Sequence, residues 1–190
     1  MIIAYIAWPP DNGTYMWADP KTRGNPPPGV LCEKCGQRID YGAVNPKYKP
    51  PRNYYDLSNT FDGDFLVSPP LRCYLQEQKL LGITFSEIRS SRRYFILNCM
   101  NVLRLIRPAT SRLEEYCAVC KQYRSVWGNN PETAHYEGVH GPIHEGIFIS
   151  DLRVGYYPQM GPMLIVGIDT WRGMLAKKFK GLGNGEAITN

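Results

Sequence analysis

Two pairs of cysteines, each with the spacing CxxC, constrain this chain more than any other feature. They are Cys32/Cys35 and Cys117/Cys120. Two intervening residues let a tight turn aim both sulfurs at one ion, and two such turns supply the four sulfurs that tetrahedral Zn²⁺ takes at about 2.3 Å. The sequence therefore predicts one closed, structural zinc site with Cys32, Cys35, Cys117 and Cys120 as its ligands.

Two other interpretations of these pairs stay open: reduced cysteines without metal, and a redox or catalytic role. A redox CxxC opens a helix within a βαβ unit, whereas both pairs here lie in stretches rich in proline and glycine. A catalytic zinc needs an open position for water, which four cysteines do not leave. Gly36 suits the turn after Cys35, but Lys121 takes the corresponding position after Cys120. Cys73 and Cys99 are expected to be small buried hydrophobes.

Other residues that could carry chemistry give weaker signals. The spacing of His135, His140 and His144 invites a second metal site, but glycine and proline lie between them, so we expect a surface loop. Asp62 and Asp64 flank a glycine, which is more typical of a turn than of an acid–base pair. No P-loop, dinucleotide-binding glycine motif or nucleophile elbow is evident. We therefore do not expect an enzyme.

Length and composition indicate one ordered domain over residues 1–190. Lysine and arginine exceed aspartate and glutamate by 22 − 17, a net charge of +5, and the chain holds 18 glycines and 16 prolines. So many turn-forming residues exclude a coiled coil or a long helical bundle. The first eight residues lack the basic start of a signal peptide, and no window reaches the roughly 20 apolar residues of a membrane span. We expect a cytoplasmic protein, where cysteines stay reduced.

The apolar pattern predicts an α+β fold with a mixed or antiparallel sheet. Strands are expected at 1–8, 65–67, 83–89, 92–105, 147–152 and 163–168, and residues 121–146 are expected to be rich in loops. Helices are expected at 71–81, ending at Gly82, and at 170–180, ending at Gly181 and capped by Asp169 or Thr170. The two strand–helix–strand units align at an offset of 99 residues, so an internal duplication with pseudo-repeats of about 30–110 and 115–190 is one reading.

The order of these features resembles the bacterial double-CxxCG-motif family. Lys121 departs from the glycine that the family's name implies. The resemblance covers nearly the whole chain, and the residues that carry it are Cys32–Gly36, Phe65–Ser68, Leu80–Gly82, Cys117–Cys120, Ile147–Arg153, Met163–Val166, Trp171, Phe179 and Gly181.

The resemblance implies an immunity protein, a cytoplasmic antitoxin that binds and neutralises a cognate toxin or effector. A basic chain is poorly suited to imitate nucleic acid, so if the toxin is a nuclease we expect steric occlusion. Tyrosine and tryptophan are enriched at protein interfaces. The residues that we expect to contact the partner are therefore the loop aromatics Trp8, Trp17, Tyr54 and Tyr55.

The alternative function is a nucleic-acid-binding zinc ribbon. The net charge and the basic stretches at 89–93 and 177–180 favour it. Glu33 inside the first CxxC and Glu114 and Glu115 before the second interrupt the basic surface, so nucleic acid is the less favoured partner. A zinc or thiol enzyme is less favoured still.

Overall fold

The computed structural model describes residues 1–17, 26–51, 55–106, 112–127 and 135–189. Within these ranges the chain forms two helices and mostly antiparallel sheets, which confirms the predicted combination of helices with mixed or antiparallel sheet. The helices are α1 (Pro69–Glu77) and α2 (Ile168–Ala176). The strands are β1 (Ile2–Ala7), β2 (Leu57–Asn59), β3 (Phe65–Val67), β4 (Ile83–Ile88), β5 (Ser91–Cys99), β6 (Val102–Leu103), β7 (Leu105–Ile106), β8 (Arg112–Cys117), β9 (Gln122–Trp127), β10 (His135–Tyr136), β11 (Ile147–Tyr156), β12 (Gln159–Val166) and β13 (Glu186–Thr189).

The larger sheet has the order β13-β1-β12-β11-β9-β8, with β6 added parallel to β11. Its central strand β12 ends in an uninterrupted apolar run, 163–166, because both faces of the sheet are covered. Leu164 and Val166 point into one core cluster, and Met163 and Ile165 point into another on the opposite face. This alternation is the two-residue period of a strand.

The smaller sheet has the order β2-β3-β5-β4. One of its faces shares the first core cluster with both helices and with the larger sheet, through Phe65 and Val67. Its other face is covered by the N-terminal loops, where Trp17 and Tyr48 pack against Leu66. The two sheets therefore lie on either side of a common core that contains the helices.

Both helices end earlier than the sequence predicts, and for the same reason. Lys79 and Lys178 adopt left-handed backbone, with φ of +53° and +58°, two residues after the last helical residue. This turn brings the next side chains, Leu80 and Phe179, back against the core. The stop therefore falls at the lysines, and the expectation that Gly82 and Gly181 end the helices is wrong.

The two helices also start differently from each other. Ser68 caps α1 by accepting the Leu71 N–H, and two prolines follow, as expected for a first turn that needs few donors. α2 starts at Ile168 after Gly167, with no side-chain cap. The expected caps Asp169 and Thr170 lie inside the helix.

The structure also changes three further expectations of local structure. The predicted strand 92–105 is divided into separate strands. β5 ends at Cys99, and the chain then turns towards β11 and forms β6 and β7. The segment 121–146, expected to be rich in loops, also contains the strand β9, which pairs with β8 as a hairpin, while residues 137–146 form turns and loops. Cys73 is exposed rather than buried, because α1 buries Leu71, Tyr74 and Leu75.

Each helix connects two strands with the same arrangement. β5 lies between β3 and β4 in the smaller sheet, and β1 lies between β12 and β13 in the larger one, with antiparallel pairing throughout. Each unit is therefore a split βαβ, in which two parallel strands flank an antiparallel one. In the first unit the inserted strand follows in sequence; in the second it comes from the N-terminus.

Candidate metal centre

The four cysteines of the two CxxC pairs come together although they lie far apart along the chain. The first pair occupies a tight turn: the Cys32 N–H donates to the Gln37 carbonyl at 2.7 Å, and the Gly36 N–H donates to the Cys32 carbonyl at 2.8 Å. The second pair forms the turn between β8 and β9, where Cys117 is paired with Gln122. Each turn presents two sulfurs towards the other turn.

The distances between the sulfurs fit one tetrahedral ion. The Sγ atoms of Cys32 and Cys117 are 3.8 Å apart, and those of Cys35 and Cys120 are 3.6 Å apart. All four lie within 4.8 Å of one another. Four sulfurs at about 2.3 Å from a central zinc would be about 3.8 Å apart. The cluster can hold a metal ion, as the sequence predicts.

Backbone N–H groups have the same effect on the thiol pKa values in both cysteine pairs. The N–H groups of Cys35 and Lys34 lower the pKa of Cys32 against the opposing effect of burial. In the same way, the backbone N–H of Cys120 lowers the pKa of Cys117 to about 6. Burial raises the pKa of the second cysteine of each pair, to about 12 for Cys35. The first thiol of each pair therefore loses its proton more readily than the second, and a bound cation would favour the thiolate form of all four.

Lys121 adopts the backbone that its glycine counterpart adopts. Its φ is +57°, and that of Gly36 is +74°. Left-handed backbone costs a residue with a side chain roughly 1–2 kcal/mol. The second turn therefore has the same conformation as the first, although Lys121 replaces the glycine.

Gln37 joins the two turns and was not singled out in the sequence. Its Nε2 donates to the Tyr123 carbonyl at 2.7 Å, and its Oε1 accepts from the thiols of Cys35 at 3.7 Å and Cys120 at 3.8 Å. The sequence contains a signal for this residue, because a glutamine stands two positions after each CxxC pair. The second of these, Gln122, accepts a hydrogen bond from Arg153 at 2.7 Å.

Two guanidinium groups stacked on a tyrosine ring adjoin the cluster. The guanidinium groups of Arg38 and Arg153 lie over the Tyr41 ring, 4.8 and 4.2 Å from its centroid. Arg38 forms ion pairs with Asp64 and, at 3.6 Å, with Asp62. The two aspartates are therefore buried counter-ions as well as parts of a turn, which the sequence pattern did not indicate.

The aromatic residues expected to contact a partner fall in different environments. Trp8 and Tyr55 are 38% and 41% exposed. Trp17 is buried and its indole N–H donates to the Ala43 carbonyl at 2.8 Å, so the expectation of an exposed Trp17 is wrong. Tyr54 lies outside the described residues.

Surface clefts and other aromatic groups offer further candidates. Trp8 lines a groove of about 440 Å³ that also contacts Trp127. Trp127 stacks on Tyr156 with ring centroids 5.6 Å apart, and both are about half exposed. A second cleft, of about 500 Å³, lies between the two sheets and is lined by Arg153.

Among the described side chains, which do not include that of His135, the four cysteines are the one group of three or more side chains that could hold a metal ion. His144 instead contacts Asp169 at 3.1 Å on the surface. Among the described residues, neither helix has the length and apolar character that crossing a membrane requires.

No family model, curated protein or solved structure matches this chain. Its function must therefore be argued from its own residues.

Proposed function

We propose that this chain is an immunity protein: a cytoplasmic binding protein that neutralises a cognate bacterial toxin by covering the toxin's working surface. The observation that carries the proposal is the contrast between a closed sulfur cluster and open apolar clefts. The ligand set is complete within the protein, whereas apolar and aromatic side chains are left at the surface. A stable scaffold with an unpartnered apolar surface suits binding rather than catalysis.

We propose zinc as the ion and a structural role for it. Thiolate ligands select zinc, copper(I) or iron–sulfur clusters, and four sulfurs spaced for one tetrahedral ion favour zinc. The cluster connects the turn at 32–36 to the β8–β9 hairpin, which Gln37 also contacts through its hydrogen bond to the Tyr123 carbonyl. A structural zinc can contribute on the order of 10 kcal/mol to folding.

Steric occlusion fits the charge of the chain better than mimicry of nucleic acid. With a net charge of +5, the protein does not present the polyanion that would imitate a nuclease substrate. An acidic toxin surface would instead be attracted to it, which raises the association rate more than the affinity.

We also propose that the two split βαβ units arose by internal duplication. α1 and α2 coincide at an offset of 99 residues, and so do Lys79 and Lys178 with their left-handed backbone. The cysteine pairs are offset by 117 − 32 = 85 residues, so the segment between turn and helix would differ in length by 14. In aligned homologues, the two units should resemble each other beyond the level of shuffled sequences; no such excess would argue against duplication.

Co-expression with the product of the adjacent open reading frame tests the function. We expect a stable one-to-one complex, rescue of growth, and about one zinc per chain measured on the same sample. No complex and no rescue, together with salt-sensitive retention on nucleic acid, would replace this proposal with the zinc-ribbon alternative, since phosphate contacts release counterions.

A further inference from the structure

Arg153, on β11, lies between the two turns that carry the cysteines. Its Nη1 donates to the carbonyl of Arg38, just after the first turn, and at 2.7 Å to Oε1 of Gln122, just after the second. The side chain is half-buried, and its guanidinium lies 4.2 Å from the centroid of the Tyr41 ring. The two oxygens and the ring are uncharged, so they leave the positive charge of Arg153 uncompensated.

The carboxylates that line the same cavities as Arg153 have other partners. Asp62 and Asp64 pair with Arg38. Asp151 is exposed and accepts a backbone N–H at 2.9 Å. In the part of the chain that the structure describes, Arg153 forms no ion pair with a carboxylate. Since a cation that is partly removed from water needs a compensating charge, another anionic group must face it.

The sulfurs of the second cysteine of each pair are that group. Burial lowers the pKa of Arg153, and the ionised forms of Tyr41, Cys120 and Cys35 oppose this effect. Tyr41 keeps its proton at neutral pH, because burial raises its pKa. Cys35 and Cys120, whose Sγ atoms are 3.6 Å apart, become thiolates when they bind a metal ion. The guanidinium then has two anionic sulfurs beside it.

The metal-bound cluster in turn requires a cation. Four thiolates outweigh a divalent ion by two negative charges. The other charged side chains of the two turns, Glu33, Lys34 and Lys121, are exposed, so water and salt screen them. Arg38 is close but already paired with its aspartates. Arg153 is therefore the half-buried cation whose charge is left for the sulfurs.

We infer that Arg153 is the counter-ion of the metal-bound cluster: its charge strengthens metal binding and makes the thiolates of Cys35 and Cys120 less reactive. This inference rests on the proposed metal ion and does not depend on the immunity function. The two thiolates beside Arg153 are also the accessible ones, since Cys35 and Cys120 are half-buried whereas Cys32 and Cys117 are buried. The charge of Arg153 therefore acts on the half of the cluster that reagents can reach.

Zinc affinity, measured by competition with a chelator, tests the first part of the inference. Arg153→Met removes the charge and keeps an apolar stem over Tyr41, and it should weaken zinc binding about 10–100-fold. Arg153→Lys keeps a charge and should lose less. The matched control is Arg124→Met, because Arg124 also lies over a tyrosine ring, that of Tyr157 at 4.5 Å, but pairs with Glu115 at 2.8 Å. The control should bind zinc within about threefold of the parent.

The rate of alkylation by iodoacetamide, a neutral reagent from which the thiolate displaces iodide, tests the second part. The nucleophilicity of a thiolate rises about threefold for each unit by which its pKa rises. At saturating zinc, Arg153→Met should therefore be alkylated at least about threefold faster than the parent at Cys35 and Cys120, as mapped by mass spectrometry. Cys32 and Cys117, which are 3% and 4% exposed, should stay slow in both proteins. Arg153→Lys should react at close to the parent rate.

Gln122→Glu provides a second variant that leaves Arg153 and its ring contact in place. A carboxylate at this position would pair with the guanidinium and draw its charge away from the sulfurs. Zinc affinity and alkylation rate should then change in the same direction as in Arg153→Met. Circular dichroism and the melting temperature at saturating zinc are measured for every variant. If Arg153→Met does not fold, Gln122→Glu decides, and an unchanged affinity and rate in that variant would contradict the inference.

The remaining outcomes separate this inference from the other proposals. If a folded Arg153→Met keeps the parent's affinity and rate, or loses affinity without faster alkylation, Arg153 is not a counter-ion and the inference is wrong. If Arg153→Lys is impaired as much as Arg153→Met, the hydrogen bonds rather than the charge support the cluster, and the inference is again wrong. If the parent chain binds no metal, the proposed metal fails and the inference fails with it. The immunity function is decided separately, by complex formation and rescue of growth.

Discussion

The two split βαβ units keep the same geometry although their sequences and connections differ. Both have a nine-residue helix, a lysine in left-handed backbone two residues after the helix, and an antiparallel strand between the two parallel ones. The inserted strand is β5, joined by a hairpin, in one unit and the N-terminal β1 in the other. The turns that carry the cysteines likewise share one conformation with Gly36 in one and Lys121 in the other. The comparison shows that the two units share their strand order although their chain connections differ. In the same way, the two cysteine turns share their conformation although their turn residues differ.

The largest expected effect comes from breaking either cysteine turn. Cys32→Ser and Cys117→Ser should lose the metal to the same extent. Both turns share one ion, and either substitution leaves that ion three sulfur ligands, which bind it more weakly than four. A loss on the order of 10 kcal/mol is comparable to the whole stability of a domain, so both variants should be largely unfolded. Metal analysis and circular dichroism check this. The control Cys73→Ser, on the exposed face of α1, should change neither. Retention of metal in only one of the two variants would show that the turns do not share an ion.

The turn residues should respond in opposite directions. Gly36→Ala should destabilise the protein by about 1–3 kcal/mol, because the residue is at φ +74° and an added Cβ would lie 2.8 Å from the Tyr157 hydroxyl. Lys121→Gly should be neutral or stabilise by up to about 1 kcal/mol, since glycine adopts left-handed backbone without a steric cost. Urea denaturation at saturating zinc measures both. A stability loss in Lys121→Gly that matched the loss in Gly36→Ala would mean that the lysine side chain, not the backbone, supports the second turn.

The sequence predicted the cysteine cluster better than the strands around it. Ligand spacing is local, so two CxxC pairs predict four convergent sulfurs without knowledge of the fold. The pattern did not predict β8 because its residues, such as Glu114 and Glu115, are mostly exposed at the sheet's edge, and it did not predict β9 because that strand is mostly half-buried; neither shows apolar alternation. The buried pairing of Arg38 with Asp62 and Asp64 joins residues far apart in sequence, and nothing local in the pattern indicates it.

The helix ends allow a finer comparison of the two units. Lys79→Gly and Lys178→Gly should each stabilise the protein by up to about 1 kcal/mol, because glycine removes the cost of a left-handed side chain. Equal gains would support equivalent roles in the two units. The matched controls are Gln78→Gly and Lys177→Gly, one residue earlier, where φ is −69° and −77° and glycine should destabilise. Thermal or urea unfolding distinguishes these cases. A gain at Lys79 without one at Lys178 would show that the second helix end depends on the lysine side chain.

The smallest effect is expected from changing only how the chain is connected. Ile2 pairs with Thr189 at the edge of the larger sheet, so a short turn can join β13 to β1 as the native hairpin joins β4 to β5. A chain joined in this way and opened between residues 24 and 25 should bind the same amount of metal and unfold within about 1 kcal/mol of the parent, since closing a short loop adds little. The matched permutant has the same join but is opened between Arg89 and Ser90. In this permutant β5 comes from the new N-terminus, as β1 does for the second unit in the parent chain. If the units are equivalent, both permutants fold. If only the second permutant fails, the β4–β5 hairpin is needed for the first unit to form, and strand order alone does not make the units alike.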